Sequence, residues 1–303
     1  MTPRERVLLA MDHQPTDQVA RGEIFIDDEL VKIFLKCDRV NFKKRREFIS
    51  RLGLDAVCLQ AGFKRKPREN RLPAPADVHW PDMDRWQADT DLFVFVLLDG
   101  PMGWGIRLLG FERFMIQISR GGAEIIDFVH AVEQLNIELA DTACRKGGKG
   151  IIIADDIAYQ NGLLVSPSQL RAFFFPSYGR QIKSMSAMQM PVFFHSDGNI
   201  RQVLDDIVTA GFTGLQGLES AAGMDMASVR RRYGKRLCLW GNLDPACLAV
   251  PRDTRNVEDQ VRRIISVAPR GDGLIFGTSS GLYQGMIPEN LKRVYGPKLL
   301  NRV

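Results

Sequence analysis

The sequence predicts an α/β protein of the (β/α)8 TIM-barrel class. Three observations predict it: eight short apolar or β-branched runs, helical patterns between most of them, and polar residues after nearly every run. Strands that alternate with helices pair in parallel through right-handed crossovers. Eight such strands are typical of a closed barrel, whose strands are buried on both faces. A doubly wound open sheet is the competing architecture, but no Gly-x-Gly-x-x-Gly motif follows the first run.

The eight predicted strands are distributed along the whole chain. They are Val19–Ile26, Leu54–Leu59, Leu92–Leu98, Gly150–Ala154, Pro191–His195, Thr213–Gly217, Arg236–Gly241 and Gly273–Gly277. The clearest helix between them is Gly121–Lys146, because its apolar residues recur at helical spacing. Further helices are predicted at Pro167–Met188, Ile200–Ala210, Met224–Tyr233 and Val257–Val267.

A single domain is predicted to cover residues 1–303, because no clean linker and no internal repeat divides the chain. Residues 64–91 differ from the rest, with three prolines before Trp80, many charges and little periodicity. We expect this segment to be an insertion or a long loop over one end of the barrel.

The composition is that of an ordinary globular protein. The chain has 303 residues, of which 45% are hydrophobic and 25% are charged. No apolar run approaches the roughly 20 residues that span a membrane, and the charged N-terminus is not typical of a secretory signal. The five scattered cysteines form no Cys-x-x-Cys pair, which favours a cytoplasmic location and gives no cysteine-only zinc site.

The net charge of +5 comes partly from two basic clusters, at residues 43–46 and 64–68. We interpret them as solvated loops and helix faces, with a docking surface for an anionic partner protein or a phosphate-bearing ligand as the alternative. No aromatic residues interleave with these charges and no binding motif is present, so nucleic acid is not an expected partner.

Polar side chains follow the predicted strands at the end where a TIM barrel carries its chemistry. The motif His195-Ser196-Asp197-Gly198-Asn199 comes at the end of the fifth apolar run, and Asp155 and Asp156 follow the fourth. The other strand-end groups are Glu23, Gln60, Asp99, Gln216, Glu219, Asn242, Asp244, Ser279 and Ser280. Any one of them can be a turn residue or a helix cap. Their convergence predicts a cleft with several carboxylates around one imidazole.

Such a cleft supports more than one chemistry. His195 with Asp197, Glu219 or Asp156 can bind a divalent metal ion such as zinc. Alternatively, the carboxylates hold protons for general acid catalysis, with pKa values raised by mutual repulsion. Two further interpretations of His195 are possible. It can donate or accept a hydrogen bond with the substrate without any metal ion, or its role can be purely structural. The predicted catalytic residues are Asp156, His195, Asp197 and Glu219, and the predicted metal ligands are His195, Asp197 and Glu219.

Substrate-binding residues are predicted on several strand ends. They are Glu23, Asp155, Tyr159, Gln216, Asn242 and Ser280. The aromatic residues Trp104, Phe111 and Tyr159 are expected to stack against the substrate at the same edge, with a core position as the alternative for each. The segment Gly277–Gly281, with the sequence Gly-Thr-Ser-Ser-Gly, resembles a glycine-rich anion cradle after the eighth strand.

Five segments of the chain resemble the uroporphyrinogen decarboxylase superfamily, which includes the corrinoid-dependent methyltransferases. Residues 1–7 are similar to the family's opening helix, and residues 154–157 to the strand-four segment of the methyltransferase-like branch. Residues 195–199 resemble the branch's H-S-C-G-N motif, residues 241–244 its G-N-[IV]-D, and residues 288–290 its P-x-E-N. The resemblance implies cobalamin on a partner corrinoid protein, and a homodimer is common among such relatives.

Differences between this sequence and the family's motifs limit which reactions the predicted site is expected to catalyse. Residues 19–25 hold one arginine where decarboxylase relatives carry an arginine-rich motif, and residues 57–61 lack their catalytic aspartate, so porphyrinogen decarboxylation is disfavoured. The thiol-methylating branch binds zinc through H-x-C and a distant cysteine, whereas Asp197 and Ser280 stand at those places here. Oxygen donors make a harder, more Lewis-acidic site, which suits an ether oxygen better than a thiol.

The resemblance and its departures lead to one functional hypothesis. The chain is a methyltransferase component that moves a methyl group from a small methoxylated or methylated compound to a corrinoid carrier protein. The alternatives are a decarboxylase or other lyase that acts on a smaller carboxylic acid, and a non-catalytic barrel or binding subunit.

Overall fold

The computed structural model describes residues 1–65, 71–251 and 254–300. Eight strands form one sheet, which we label in chain order as β1 Ala20–Arg21, β2 Ala56–Leu59, β3 Phe93–Asp99, β4 Gly150–Ala154, β5 Val192–Ser196, β6 Gly214–Gly217, β7 Cys238–Leu243 and β8 Leu274–Thr278. Their order in the sheet is β1-β8-β7-β6-β5-β4-β3-β2. This succession, with helices between the strands, confirms the predicted (β/α)8 TIM-barrel class.

All eight predicted strands are present, with two informative differences in length. Only two residues of the predicted first strand pair with β8, and Ile26 forms a separate parallel bridge to Leu282. Strand β7 extends two residues beyond its predicted end, so Asn242 lies within the strand and not after it.

The helices lie between the strands as predicted. They are α1 Pro3–Met11, α2 Asp28–Leu35, α3 Phe42–Leu52, α4 Met83–Asp89, α5 Pro101–Leu109, α6 Phe111–Arg120, α7 Ala123–Arg145, α8 Pro167–Gln169, α9 Phe175–Ala187, α10 Leu204–Ala210, α11 Met226–Tyr233, α12 Thr254–Ser266, α13 Pro288–Val294 and α14 Pro297–Leu300. Local sequence fixes several of their ends. Thr2 and Glu5 form a capping box before α1, and Asp225 caps the first backbone N–H groups of α11.

The predicted helix Pro167–Met188 is divided by a π-helical turn at Leu170–Phe174. Within this turn the Phe175 N–H donates to the Leu170 carbonyl, five residues back. Pro176 comes next, and a proline inside a helix has no N–H and collides with the preceding turn. The wider turn accommodates the proline ring without ending the helix.

The chain divides into two compact units. The first comprises Met1–Cys58, Asp89–Phe93 and Gly214–Val303, and the second comprises Leu59–Ala88 and Val94–Thr213. The single domain over residues 1–303 stays a prediction. No helix in the described part of the chain is both long and apolar enough to cross a membrane.

In the first unit, Asp55 holds β1 beside the start of β2. Its backbone N–H donates to the Arg21 carbonyl at 2.7 Å, and its Oδ2 accepts from the Arg21 N–H at 2.8 Å. Its Oδ1 pairs with the buried guanidinium of Arg6. Trp240 of β7 fills the interior and donates from Nε1 to the Gly22 carbonyl at 3.0 Å. Side chains from α1, from the residue before β2 and from β7 thus link the strands of the first unit.

In the second unit, the register of β3, β4 and β5 aligns the strand ends that carry the site. Asp99 of β3 is opposite Ala154 of β4, and Ala154 is opposite His195 of β5. Because parallel strands in register turn aligned side chains to the same face, these positions share one face of the sheet.

The predicted insertion at residues 64–91 contains regular structure. A short strand at Val78–His79 pairs antiparallel with Gly62–Phe63, and α4 follows at Met83–Asp89. Trp80 and Trp86 are buried within this segment, which explains why it packs despite its charge. Residues 66–70, which include part of the second basic cluster, lie outside the described residues.

Candidate functional site

Three predicted site residues meet at the ends of β4 and β5. The Nε2 atom of His195 lies 3.8 Å from Oδ1 of Asp156, and the Asp197 backbone N–H donates to that same Oδ1 at 2.9 Å. One ligand atom from each of Asp156, His195 and Asp197 lies within 4.8 Å of the other two. The strand register explains this arrangement, since Asp156 and Asp197 each come two residues after the paired positions Ala154 and His195. We call these three residues the His195 cluster.

The members of the His195 cluster differ in their contact with solvent. The Asp156 side chain is 61% exposed, whereas the His195 side chain is 11% exposed. Asp197 is half-buried. The Nδ1 atom of His195 is buried and has no hydrogen-bond partner in the part of the chain that the structure describes. The His195 ring is therefore largely buried with Nε2 on the side of the carboxylates, whereas the Asp156 side chain is exposed to solvent.

Backbone geometry around Gly198 holds the motif in place. Gly198 has φ +83°, and a Cβ there would lie 2.6 Å from the backbone N of Tyr159, so the position requires glycine. The Asn199 N–H donates to the Tyr159 carbonyl at 2.9 Å, and the Ser196 Oγ accepts from the Ile157 N–H at 3.2 Å. The loop after β5 is thus fastened to the loop after β4, which fixes His195 relative to Asp156.

Asp155 precedes Asp156 but is enclosed by protein. Its carboxylate accepts hydrogen bonds from the Tyr178 hydroxyl, from the Met102 N–H at 3.1 Å and from the Gly103 N–H at 2.7 Å. Burial raises the pKa of this carboxyl to about 7, although the three hydrogen bonds oppose the rise. Asp155 joins α5 and α9 to the end of β4, and its predicted role as a substrate-binding residue stays a prediction.

The donor set of the His195 cluster fits a divalent metal ion. Ligands about 2.0–2.2 Å from a tetrahedral zinc ion lie about 3.3–3.6 Å from one another. The 3.8 Å between His195 Nε2 and Asp156 Oδ1 is close to this spacing, and the exposed Asp156 side chain has room to move. A metal-binding histidine usually donates its other ring N–H to a neighbour, and the unpartnered Nδ1 of His195 departs from that pattern.

The first unit contains Glu23, another predicted substrate-binding residue, in a fully hydrogen-bonded setting. Its carboxylate accepts from the Thr278 N–H at 2.8 Å, from the Thr278 hydroxyl and from the Tyr295 hydroxyl. Burial raises the pKa of Glu23 to about 7, and these hydrogen bonds oppose the rise. Thr278 belongs to the predicted anion cradle. Within this unit, Thr278 of the predicted cradle donates to a carboxyl group of the protein itself, that of Glu23.

Three more predicted substrate-binding residues of the first unit take part in hydrogen bonds to backbone carbonyls, two as side-chain donors and one as the acceptor. The Gln216 Nε2 donates to Thr278 and Ser279, and the Asn242 Nδ2 donates to Leu218 and Met224. The carbonyl of Ser280 accepts from the Tyr283 hydroxyl. These contacts shape the loops that follow β6, β7 and β8. The binding roles of Gln216, Asn242 and Ser280 stay predictions.

Glu219, the remaining predicted catalytic residue and metal ligand, also lies in the first unit. It is half-buried just after β6, and its carbonyl accepts from the N–H groups of Ala222 and Met224, each at 3.1 Å. The bond from Ala222 belongs to the 3-10 turn Ser220–Ala222. Its catalytic and ligand roles stay predictions.

A cavity of about 200 Å³ lies in the second unit at the strand ends, and we call it the Trp104 pocket. Its lining is Gln60, Ala61, Phe63, Val78, Leu97, Leu98, Asp99, Trp104, Arg107, Asn136, Leu139 and Ala154. Of the three aromatic residues expected to stack on a substrate, Trp104 lines this pocket. Phe111 and Tyr159 are exposed on the surface and are not part of its lining.

Sequence reasoning missed Asn136 and Tyr178. Asn136 occupies a buried position on the apolar face of α7, next to Leu135. An amide among apolar helix positions is unusual, and it could have indicated a buried polar residue from the sequence. Tyr178 lies in the apolar stretch of α9, and nothing in the local pattern distinguishes it from a core residue.

Comparison with known families gives one match that spans most of the chain. The model of the family described as uroporphyrinogen decarboxylase (URO-D) matches residues 85–296. The uroporphyrinogen decarboxylases of Salmonella arizonae and Escherichia coli are 38% and 35% identical to this chain over 66 residues. That stretch is 22% of this chain and only 18% of the length of these curated relatives.

Solved structures with little sequence identity share the fold. A methyltransferase from Methanosarcina mazei superposes with a TM-score of 0.74 at 18% identity, covering 97% of each chain. A B12-independent methionine synthase from Shewanella sp. W3-18-1 has a TM-score of 0.56 at 12% identity, covering 94% of each chain.

Proposed function

The chain belongs to the uroporphyrinogen decarboxylase family, and on this premise we propose that it is the methyltransferase component of a corrinoid-dependent system. Family and fold indicate a methyltransferase-like or decarboxylase-like enzyme. In the proposed reaction, a methyl group moves from a small methoxylated or methylated compound to cobalamin carried by a partner corrinoid protein.

The observation that carries the proposal is the composition of the His195 cluster. One imidazole nitrogen and two carboxylate oxygens converge within 4.8 Å, and Asp197 stands where the thiol-methylating relatives place a cysteine. A thiolate-free donor set is hard and Lewis-acidic, which favours an oxygen leaving group. When bound to Asp156, His195 and Asp197, a divalent ion such as zinc would polarise the oxygen from which the methyl group departs.

The proposed transfer balances as a nucleophilic displacement. The cob(I)alamin cobalt supplies the electron pair of the new cobalt–carbon bond, the carbon–oxygen bond of the donor breaks, and its electron pair stays on oxygen. That oxygen then takes up one proton. Solvent water at the open side of the cluster supplies this proton, and the exposed Asp156 carboxylate next to His195 Nε2 is suited to orient that water. His195 orients the leaving oxygen from the buried side of the cluster.

We also propose that the protein is cytoplasmic, that it acts with a corrinoid protein and that it forms a homodimer. A cytoplasmic location is supported by five cysteines without a sequence pattern for pairing. The corrinoid protein and the homodimer follow from the resemblance to corrinoid-dependent methyltransferases. The catalytic and metal-binding roles of Glu219, which lies in the first unit, stay predictions.

The decisive experiment is methyl transfer to cob(I)alamin by the full-length protein. The purified chain is incubated with cob(I)alamin and a panel of methoxylated and methylated small molecules, and methylcobalamin is followed by its absorbance. We expect methylcobalamin from at least one donor, loss of that activity in His195→Ala, and retention in His130→Ala, which alters an exposed histidine of α7. If no donor yields methylcobalamin while a small carboxylic acid releases CO2, the lyase alternative replaces this proposal.

A further inference from the structure

Another cavity, of about 510 Å³, lies in the first unit, and we call it the Asn242 pocket. Its walls come from the loop after β6 with the start of α11, from the end of β7, and from α12. Gln260 joins two of these walls, because its Oε1 accepts from the Asp244 N–H at 3.4 Å. The volume is within the usual range of small-molecule sites. The lining shares no residue with the His195 cluster or the Trp104 pocket.

Asn242 presents a fixed hydrogen-bond acceptor to this pocket. The residue is 8% exposed, and its Nδ2 donates to the Leu218 carbonyl at 2.9 Å and to the Met224 carbonyl at 3.3 Å. Because both partners are acceptors, the orientation of the amide is determined and Oδ1 points away from them. This Oδ1 accepts no hydrogen bond from the described residues and, unlike the enclosed Oδ1 of Asn136, it is open to solvent. A ligand with an N–H donor can therefore pair with it.

Two opposite charges at the pocket have no ion-pair partner in the described ranges of the chain. Asp244 is half-buried, and its Oδ1 accepts from the Ala246 N–H at 2.9 Å. Arg263 is exposed on α12 and forms no salt bridge with Asp244 or with any other described residue. Asp225 also lines the pocket, but it caps α11 and lies 3.9 Å from Arg231. An anion and a cation thus line one cavity without pairing with each other.

Asn242 and Asp244 are placed to contact one ligand group. They are two residues apart at the end of β7, and the Asp244 backbone is extended, with φ −65° and ψ 115°. Alternate side chains of an extended chain leave the same side, about 7 Å apart. A group with several N–H donors can lie between them. Arg263 comes three residues after Gln260, or about 5 Å along α12, so the cation is close to the residue that contacts Asp244.

The pocket also offers an apolar surface beside its charges. Met224, Met226 and Ile264 line it, and each of these residues is buried. Ile264 and Val267 are three residues apart, so they lie on the same face of α12. Methionine side chains adapt to the shape of a flexible ligand. This surface is suited to a short hydrocarbon chain.

We propose that the Asn242 pocket binds a small zwitterion, in which a short hydrocarbon chain joins a primary ammonium group to a carboxylate. The ammonium donates to Asn242 Oδ1 and to the Asp244 carboxylate, which is possible because it has three N–H donors. The ligand carboxylate pairs with Arg263, and the chain packs on the methionines. This site does not depend on the proposed methyl transfer.

Calorimetric titration of the full-length protein with glycine, 4-aminobutanoate and 6-aminohexanoate tests the site without any methyl transfer. We expect one of these chain lengths to bind best. Butylammonium and butanoate carry one charge each, and they should bind at least about 10-fold more weakly, the effect of losing one charged hydrogen bond. 4-(Trimethylammonio)butanoate keeps both charges but has no N–H, so it should bind more weakly than 4-aminobutanoate.

Two variants test the charged residues. Asp244→Asn keeps an oxygen for the Ala246 N–H and should weaken binding of the best zwitterion about 10-fold. Arg263→Gln should weaken it about 2- to 5-fold, because Arg263 is exposed. Asp259→Asn and Arg262→Gln are the matched controls, since these exposed residues of α12 pair with each other at 2.8 Å and do not line the pocket. Both controls should bind as the wild type does.

Failure of the wild-type protein to bind any of the three zwitterions at millimolar concentration overturns the proposal. Equal affinity for butylammonium or butanoate, or equal weakening in the control variants, also overturns it. Equal affinity for 4-(trimethylammonio)butanoate and 4-aminobutanoate overturns the role of Asn242. Zwitterion binding that only Asp244→Asn and Arg263→Gln weaken supports the site, whether or not the protein forms methylcobalamin.

Discussion

Asp155 and Asp156 are adjacent in the chain, but their carboxylates lie in opposite environments. Asp155 is 1% exposed and accepts hydrogen bonds from Tyr178 and two backbone N–H groups. Asp156 faces solvent and lies beside His195 Nε2. The two side chains leave the end of β4 in different directions, so one secures the fold and the other is available for chemistry. The consequences for activity and stability are separable by mutation.

Asp156→Asn is expected to lower the rate of methyl transfer by about 10- to 100-fold, because a neutral amide is a poorer zinc ligand than a carboxylate and orients water less strongly. The free energy of unfolding should stay within about 0.5 kcal/mol of the wild type, because asparagine keeps an oxygen that accepts from the Asp197 N–H. Methylcobalamin formation and urea denaturation measure the two effects. Asp127→Asn on α7 is the control for an exposed aspartate. A parallel loss of stability and rate would show that Asp156 is structural.

His195→Ala is expected to reduce the zinc content of the protein by most of one equivalent. The variant removes the one nitrogen donor of the His195 cluster and leaves two carboxylates, which form a weaker zinc site. Metal is measured by elemental analysis after dialysis against dilute zinc. His130→Ala is treated identically and should retain the wild-type content. Equal zinc in all three proteins would place the metal elsewhere or exclude the proposed site.

Tyr178→Phe is expected to destabilise the protein by about 1–3 kcal/mol, because it leaves the buried Asp155 carboxyl without one of its three donors. Denaturant unfolding at constant pH measures the change. Tyr159→Phe serves as the comparison, since Tyr159 is exposed and its loss of a hydroxyl should change stability by less than about 0.5 kcal/mol. Comparable effects from the two substitutions would contradict the role assigned to Tyr178.

Glu23 makes stability depend on pH in a defined direction. Its pKa rises from 4.5 to about 7 on folding, so the folded protein binds the proton more tightly than the unfolded chain. The stabilisation is fully present below pH 4.5 and decreases as the pH rises toward 7, by up to about 3 kcal/mol. Glu23→Gln cannot titrate and provides the reference.

The measurement for Glu23 is the free energy of unfolding at pH 5, 6, 7 and 8 for both proteins. The difference, wild type minus Glu23→Gln, should become less favourable between pH 5 and 7 and then level off. Parallel curves for the two proteins would mean that the pKa of Glu23 does not shift on folding.

The strands were predictable because burial on both faces requires uninterrupted apolar residues. Gly150–Ala154 was predicted with the bounds that the structure gives, and the helix after Gly121 was predicted to within two residues at each end. The π-helical turn before Pro176 was not predicted, because the helical period continues through it. The local sequence pattern indicates which face of a helix or strand is apolar, but it does not indicate a change in the spacing of the backbone hydrogen bonds.

The sequence by itself determined the barrel class and the convergence of Asp156, His195 and Asp197. Each lies at or just after the end of a predicted strand, and parallel pairing brings neighbouring strand ends together. The tertiary structure alone decided which carboxylates are enclosed. Asp155 meets Tyr178, and Glu23 meets Thr278 and Tyr295, at separations of 23, 255 and 272 residues.

Only the tertiary structure also revealed the Trp104 pocket, whose lining combines residues of β3, α5 and α7. The physical reason is that hydrophobic periodicity is local, whereas desolvation and hydrogen-bond partners depend on side chains that folding brings from distant parts of the chain.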